Sequence, residues 1–100
     1  MSLPEITVQE LEAMKNAGDT FFLLDVRNPD EYATANLGGH LIPLNELPMR
    51  LNELKRDDMI VVHCQGGGRS SRACEYLLQQ GFTNVHNLRG GLTAWQREIG

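Results

Sequence analysis

The sequence predicts an α/β domain built on a mainly parallel sheet. Two observations point there. Phe21-Phe22-Leu23-Leu24-Asp25-Val26 and Met59-Ile60-Val61-Val62-His63 are near-continuous apolar runs, as strands covered on both faces are. Segments with helical spacing alternate with them. The 100 residues show no composition break, repeat or linker, so one domain over 1–100 is expected, with Met1-Ser2-Leu3 readable as a cloning remnant.

Thr7-Val8-Gln9-Glu10 has the form of a capping box, with Thr7 at N-cap and Glu10 at N3. The helix it starts puts Val8, Leu11 and Met14 on one face, and Gly18 ends it. The run 21–26 is the first strand. Asn28-Pro29-Asp30-Glu31 supplies an N-cap, a proline at N1 and two first-turn acids for a short helix to about Ala35. Gly38-Gly39 turns the chain into a very short strand that Pro43 stops. Leu44, Leu47, Leu51 and Leu54 have helical spacing, with Pro48 expected to break or restart that helix.

The run 59–63 is a second buried strand, which delivers Cys64 to its carboxyl end. Ser70 to Gln80 reads as a helix with Ala73, Cys74, Tyr76 and Leu77 inward, stopped by Gly81 in the left-handed conformation. Phe82 to Leu88 holds a turn and a strand, and Gly90-Gly91 starts a last helix through Trp95 to about Ile99. Ligands of such sheets bind beyond the carboxyl ends of the strands, where Asp25, Cys64 and Leu88-Arg89-Gly90-Gly91 fall.

Composition narrows the function classes. A net charge of −4 argues against the basic field that nucleic-acid binding needs. No apolar run approaches the roughly 18 residues of a membrane helix, and MSLPEITVQE lacks the basic and apolar regions of a signal peptide, so a cytoplasmic location is expected. Cys64 and Cys74 are too few for a secreted disulfide scaffold, and their spacing fits no usual zinc site. Neither a disulfide nor a metal is expected.

The chemistry concentrates in His63-Cys64-Gln65-Gly66-Gly67-Gly68-Arg69-Ser70. A strand, a tight loop and a helix N-terminus form a concave ring of backbone N–H groups that binds anions. Gly66, Gly67 and Gly68 have no Cβ, so the loop can curl with its amides aimed inward. Cys64 at the base of that ring should be stabilised as a thiolate. Arg69 could clamp an anionic leaving group, Arg72 one turn on could reinforce it, and Ser70 could cap the helix. A buried inert thiol is the bland alternative for Cys64, but three glycines and an arginine beside a core cysteine have no packing rationale.

These residues resemble a single-domain rhodanese, a sulfurtransferase. The resemblance rests on the six-residue loop Cys64-Gln65-Gly66-Gly67-Gly68-Arg69, on Asp25-Val26-Arg27 with Glu31-Tyr32 upstream, and on Leu88-Arg89-Gly90-Gly91-Leu92-Thr93-Ala94-Trp95 downstream. It covers about residues 4 to 99. It implies a three-layer fold, with a central sheet of about five strands flanked by helices on both faces. Two departures stand out: Leu37 to Leu44 is shorter or rearranged against the usual Gly-His-Ile-Pro-Gly-Ala segment, and Gln65 stands where thiosulfate-preferring members often carry Arg.

The resemblance implies double displacement. Cys64 takes the outer sulfur of a sulfane donor such as thiosulfate and is left as a persulfide. A thiol, cyanide or a partner protein's cysteine then accepts the sulfur, without a cofactor. Gln65, Gly66, Gly67, Gly68, Arg69 and Ser70 are the expected substrate-binding residues, and Asp25, Arg27 and Arg72 the supporting ones. Two other functions compete. Cysteine phosphatase or arsenate reductase chemistry is suggested by His63-Cys64 and Arg69-Ser70, but four residues separate Cys64 from Arg69, one fewer than a phosphate-wrapping loop has. A persulfide carrier or a non-enzymatic partner-binding module is the other.

The remaining candidates have ordinary readings. His63 should point to the opposite face of the strand from Cys64 and play a structural or orienting part. His40 and His86 read as polar turn or edge residues, Cys74 as a packed core cysteine rather than a resolving thiol, and Trp95 as core. Asp25 and Arg27 are expected to brace the sheet end.

Overall fold

Local signals set the first elements of this computed structural model, which describes residues 3–100. Of the remnant suggested above, Met1 and Ser2 lie outside the described residues. A two-residue strand β1 (Glu5–Ile6) leads into α1 (Val8–Ala17). Thr7 Oγ1 accepts from the Glu10 N–H at 3.1 Å and Glu10 returns the bond to the Thr7 N–H at 2.9 Å. Gly18 ends the helix at φ +74°. Then come β2 (Phe22–Asp25), α2 (Pro29–Thr34), β3 (His40–Leu41), β4 (Ile60–His63), α3 (Gly68–Gln79), β5 (Val85–Leu88) and α4 (Gly91–Glu98).

The five strands lie in the order β1-β5-β4-β2-β3, and every pairing is parallel. Alternation along β4 divides the core into two layers. Ile60 and Val62 pack with Leu24, Ala73, Cys74, Leu77 and Phe82 under α3, whereas Val61 packs with Val8, Leu11, Leu88 and Ala94 under α1 and α4. All four residues of β4 are buried, which is why it reads as an unbroken apolar run. No helix among the described residues is long and apolar enough to cross a membrane.

The structure corrects two boundaries. Residues 44–54 form two 3-10 segments, Leu44–Met49 and Leu51–Glu53, and the break falls at Arg50 instead of Pro48. Leucines three and four apart serve either helix type, and Pro48 disfavours an α-helix through this stretch because its ring collides with the carbonyl four residues back. The single-turn bonds Glu46 N–H to Pro43 O (2.8 Å) and Arg50 N–H to Leu47 O (3.1 Å) leave Pro48's missing donor unneeded. The helix after Cys64 begins at Gly68, two residues before Ser70, so Arg69 sits in its first turn.

Candidate active site

β4 is the central strand, and its carboxyl end places Cys64 between the chain leaving β2 and the chain leaving β5. The thiol is 1% exposed and packs on the α3 side. Gly67 N–H donates to Sγ at 3.0 Å and Ser70 N–H at 3.4 Å, with the Ser70 hydroxyl also at 3.4 Å. Burial pushes the thiol up, but these bonds, with the Gly66 amide, outweigh it and hold Cys64 below the usual thiol value. The arrangement favours a sulfur anion.

Ser70 has one hydroxyl proton and two takers. Its oxygen lies 3.1 Å from the Gly67 carbonyl, which also accepts from the Ser71 hydroxyl at 2.8 Å and the Ser71 N–H at 3.0 Å. The carbonyl therefore stays satisfied when Ser70 turns its proton to the sulfur. Asn87 holds Ser71 in turn, donating Nδ2–H to its oxygen at 3.1 Å.

The curl of the loop rests on fewer glycines than expected. Only Gly67 of the three adopts a left-handed conformation, at φ +114°, and a Cβ at Gly66 or Gly68 would meet open space. The tight approach comes from Gly91. A Cβ there would lie 2.5 Å from the Cys64 carbonyl oxygen and 2.7 Å from that of Gln65. That proximity lets the first amides of α4, Leu92 N–H and Thr93 N–H, donate to these two carbonyls at 3.0 Å each. Helix-start donors that usually need a cap are thus satisfied by the loop, and the loop is fixed in exchange.

Gln65 extends the tie. Its Nε2–H donates to Thr93 Oγ1 at 2.9 Å and its Oε1 accepts from Arg27 Nη1 at 3.4 Å. Arg27 is 1% exposed and forks onto the Asp25 carboxylate, with Nη2 at 2.8 Å and Nε at 3.0 Å, while Nη2 also reaches the Ala35 carbonyl at 2.8 Å. His63 neighbours Asp25 across the parallel pair, with Nε2 3.6 Å from Oδ2 and Nδ1 3.2 Å from the Cys64 carbonyl. Burial pushes the imidazole down despite the Asp25 carboxylate, so it stands as a neutral ring.

Arg69 is paired with a carboxylate. Its Nη1 and Nη2 fork onto both oxygens of Glu31 at 2.7 and 2.9 Å. The Arg69 guanidinium and the Asn28 N–H hold the Glu31 carboxyl down to about 2. Glu31 is a neighbour of the loop that the sequence reading left as a first-turn acid. Its only sequence signals were the N3 position and the Glu31-Tyr32 motif. Thr93, which ties Gln65, was marked only by its place in the downstream motif. Arg72 is exposed and, among the described residues, its side chain makes no hydrogen bond or ion pair. Between α2 and α4, beside Gln65, lies a cavity of about 310 Å³ lined by Arg27, Asp30, Glu31, Gln65, Leu92 and Gln96, among others.

The remaining sequence candidates lie outside this cluster. His40 pairs with Glu53 at 2.6 Å and His86 with Asn84 at 2.7 Å. Trp95 packs, half-buried, on the α1–α4 layer. Cys74 is a free, fully buried thiol, and burial, with Cys64's charge adding to it, pushes it up to about 12. The two cysteines should therefore separate in alkylation. Iodoacetamide should modify Cys64 with a rate that rises with pH around a midpoint below the roughly 8.5 of a free thiol, because the thiolate reacts and a lowered value brings it in earlier. Cys74 should stay unmodified until the protein unfolds. Peptide mapping across a pH series checks both, and equal labelling of the two would contradict the arrangement.

The model of the rhodanese-like domain family matches residues 7–98. A protein of Allochromatium vinosum named sulfurtransferase is 38% identical over 93% of this chain and 88% of its own length. A Bacillus subtilis protein named "Putative sulfur carrier protein YrkF" is 36% identical over 94% of this chain, which spans 51% of that protein. A rhodanese-like domain protein of Staphylococcus aureus has a solved structure that superposes with a TM-score of 0.87 at 31% identity, covering 93% of this chain and 91% of that one.

Proposed function

The chain belongs to the rhodanese-like domain family, and from that premise we propose that it is a sulfurtransferase working through a persulfide on Cys64. The observation that carries this reading is the convergence of the Gly67 and Ser70 amides on Sγ, at 3.0 and 3.4 Å. A thiolate and a persulfide anion both need such donors. The Cys64 thiolate attacks the outer sulfur of a sulfane donor, for which thiosulfate is the simplest case, and sulfite departs with the electron pair of the broken S–S bond. A thiol, cyanide or a protein cysteine then attacks the terminal sulfur and returns Cys64 as thiolate. The sulfur enters and leaves in one oxidation state, so the cycle calls for no cofactor.

In this reading Gln65, Gly66, Gly67, Gly68, Arg69 and Ser70 form the wall around the transferred sulfur, and Asp25 and Arg27 brace it. Arg72 is exposed and takes no part that its surroundings suggest. The domain acts as one unit over residues 4–99 and works in the cytoplasm, where both thiols stay reduced. Phosphatase chemistry fits less well, because the loop gives way to α3 at Gly68 and leaves little backbone to wrap a tetrahedral oxyanion. A second reading, a persulfide carrier that hands its sulfur to a protein, is favoured by the carrier name of the Bacillus subtilis relative.

Intact-mass analysis after treatment with thiosulfate or an organic persulfide tests the proposal. The expected result is a gain of one sulfur, mapped to the Cys64 peptide and removed by reductant. Transfer of that sulfur to cyanide with turnover marks the enzyme, and loading without turnover marks the carrier. No adduct from any sulfane donor would leave only a binding module.

A further inference from the structure

We propose, resting on the sulfur-transfer reading, that Glu31 sets the charge of the donor by occupying Arg69, so that the loop favours an organic persulfide, R–S–SH, over dianionic thiosulfate. Two cations stand at the site. Arg27 is sealed against Asp25, the pair being 1% and 0% exposed, and its charge is spent inside. Arg69 gives both of its terminal nitrogens to Glu31. Asp30 lines the cavity beside Gln65 together with Arg27 and Glu31. Against Arg27 and Arg69 stand Asp25, Asp30 and Glu31, so the rim is net negative before the Cys64 thiolate adds its own charge. A dianion approaches such a rim against more repulsion than an organic persulfide, which carries one negative charge at most.

The fold does not require the charge of Glu31. At N3 of α2 its Oε1 accepts from the Asn28 N–H at 3.0 Å, a duty a glutamine performs as well. The carboxylate is ionised through the working pH range, because its value is held at about 2. The cavity beside Gln65 suits the rest of an organic donor. Its 310 Å³ far exceeds the space a sulfite group fills, and Ala35, Thr34 and Leu92 offer carbon surface for the R group. In the loading step Cys64–S⁻ attacks the terminal sulfur of R–S–SH. A bond forms between Sγ and that sulfur as the R–S–SH bond breaks, R–S⁻ leaves with the electron pair, and Cys64–S–SH remains. No oxidant or reductant enters.

The test measures the rate of sulfur loading on Cys64 by quenched intact mass, with thiosulfate and with the hydropersulfide of N-acetylcysteamine. In the unaltered protein the hydropersulfide should load faster, and added salt should speed thiosulfate loading by screening the repulsion. Glu31→Gln keeps the helix cap and frees Arg69, so thiosulfate loading should rise on the order of tenfold relative to the hydropersulfide. The gain should vanish when Arg69→Gln is added. An unchanged ratio overturns the inference, as does an equal fall with both donors, which would mark Glu31 as a structural brace only. Loading by neither donor in the unaltered protein would sink sulfur transfer itself, and this inference with it.

Discussion

Cys64→Ser should leave a folded protein that takes up no sulfur. The hydroxyl is smaller than the thiol but accepts from the same Gly67 and Ser70 amides, and it lies in the same packed layer under α3. Stability should change by no more than about 1 kcal/mol, since neither a cavity of consequence nor an orphaned donor is created. Chemistry ends because a serine hydroxyl stays protonated where a thiol does not, and this site offers it no base. His63 is on the opposite face of β4 and points its Nδ1 at a carbonyl. Urea denaturation beside intact-mass analysis after thiosulfate or persulfide treatment separates the two effects. Sulfur uptake persisting in this variant would place the nucleophile elsewhere.

Arg27→Met should be the most costly change at the site for stability. Methionine fills much of the arginine's volume but strands the Asp25 carboxylate, which is 0% exposed and takes Nη2, Nε and the Arg27 N–H as partners. Removing one member of a buried ion pair costs about 3–5 kcal/mol, chiefly as the penalty of the charge left behind. The Ala35 carbonyl and Gln65 Oε1 lose a donor as well. Asp25→Asn with Arg27→Met should recover part of the loss, because the stranded charge goes with it. Denaturant midpoints of the two variants provide the check, and a single variant within about 1 kcal/mol of the original would refute the bracing role.

What could be read from the sequence was local. Helix α1 announced itself because Thr7, Glu10 and Gly18 act within a turn of their own positions. Strands β2 and β4 did so because burial on both faces leaves an apolar run. β1 had no assigned place, since two residues with only Ile6 buried carry no period. The start of α3 was misplaced because Gly68 resembles loop in composition, although Gly67 alone makes the turn. Hardest to read was the Arg69–Glu31 fork. Its partners are 38 positions apart and meet only because β2 and β4 are neighbours, so no spacing rule connects them. The same holds for Gln65 and Thr93, joined when β5 lies against β4.

The hold of α4 on the loop has a consequence for the order of assembly. Translation delivers β4 and Cys64 before Gly91 to Glu98, and the Leu92 and Thr93 amides that pin the Cys64 and Gln65 carbonyls come with that last helix. Without α4 the Gly67 and Ser70 amides that face Sγ are already in the chain, but the two bonds that fix the Cys64 and Gln65 carbonyls are missing. Docking of α4 is what pins both carbonyls, so the geometry of the loop is completed by residues that follow it by more than twenty positions.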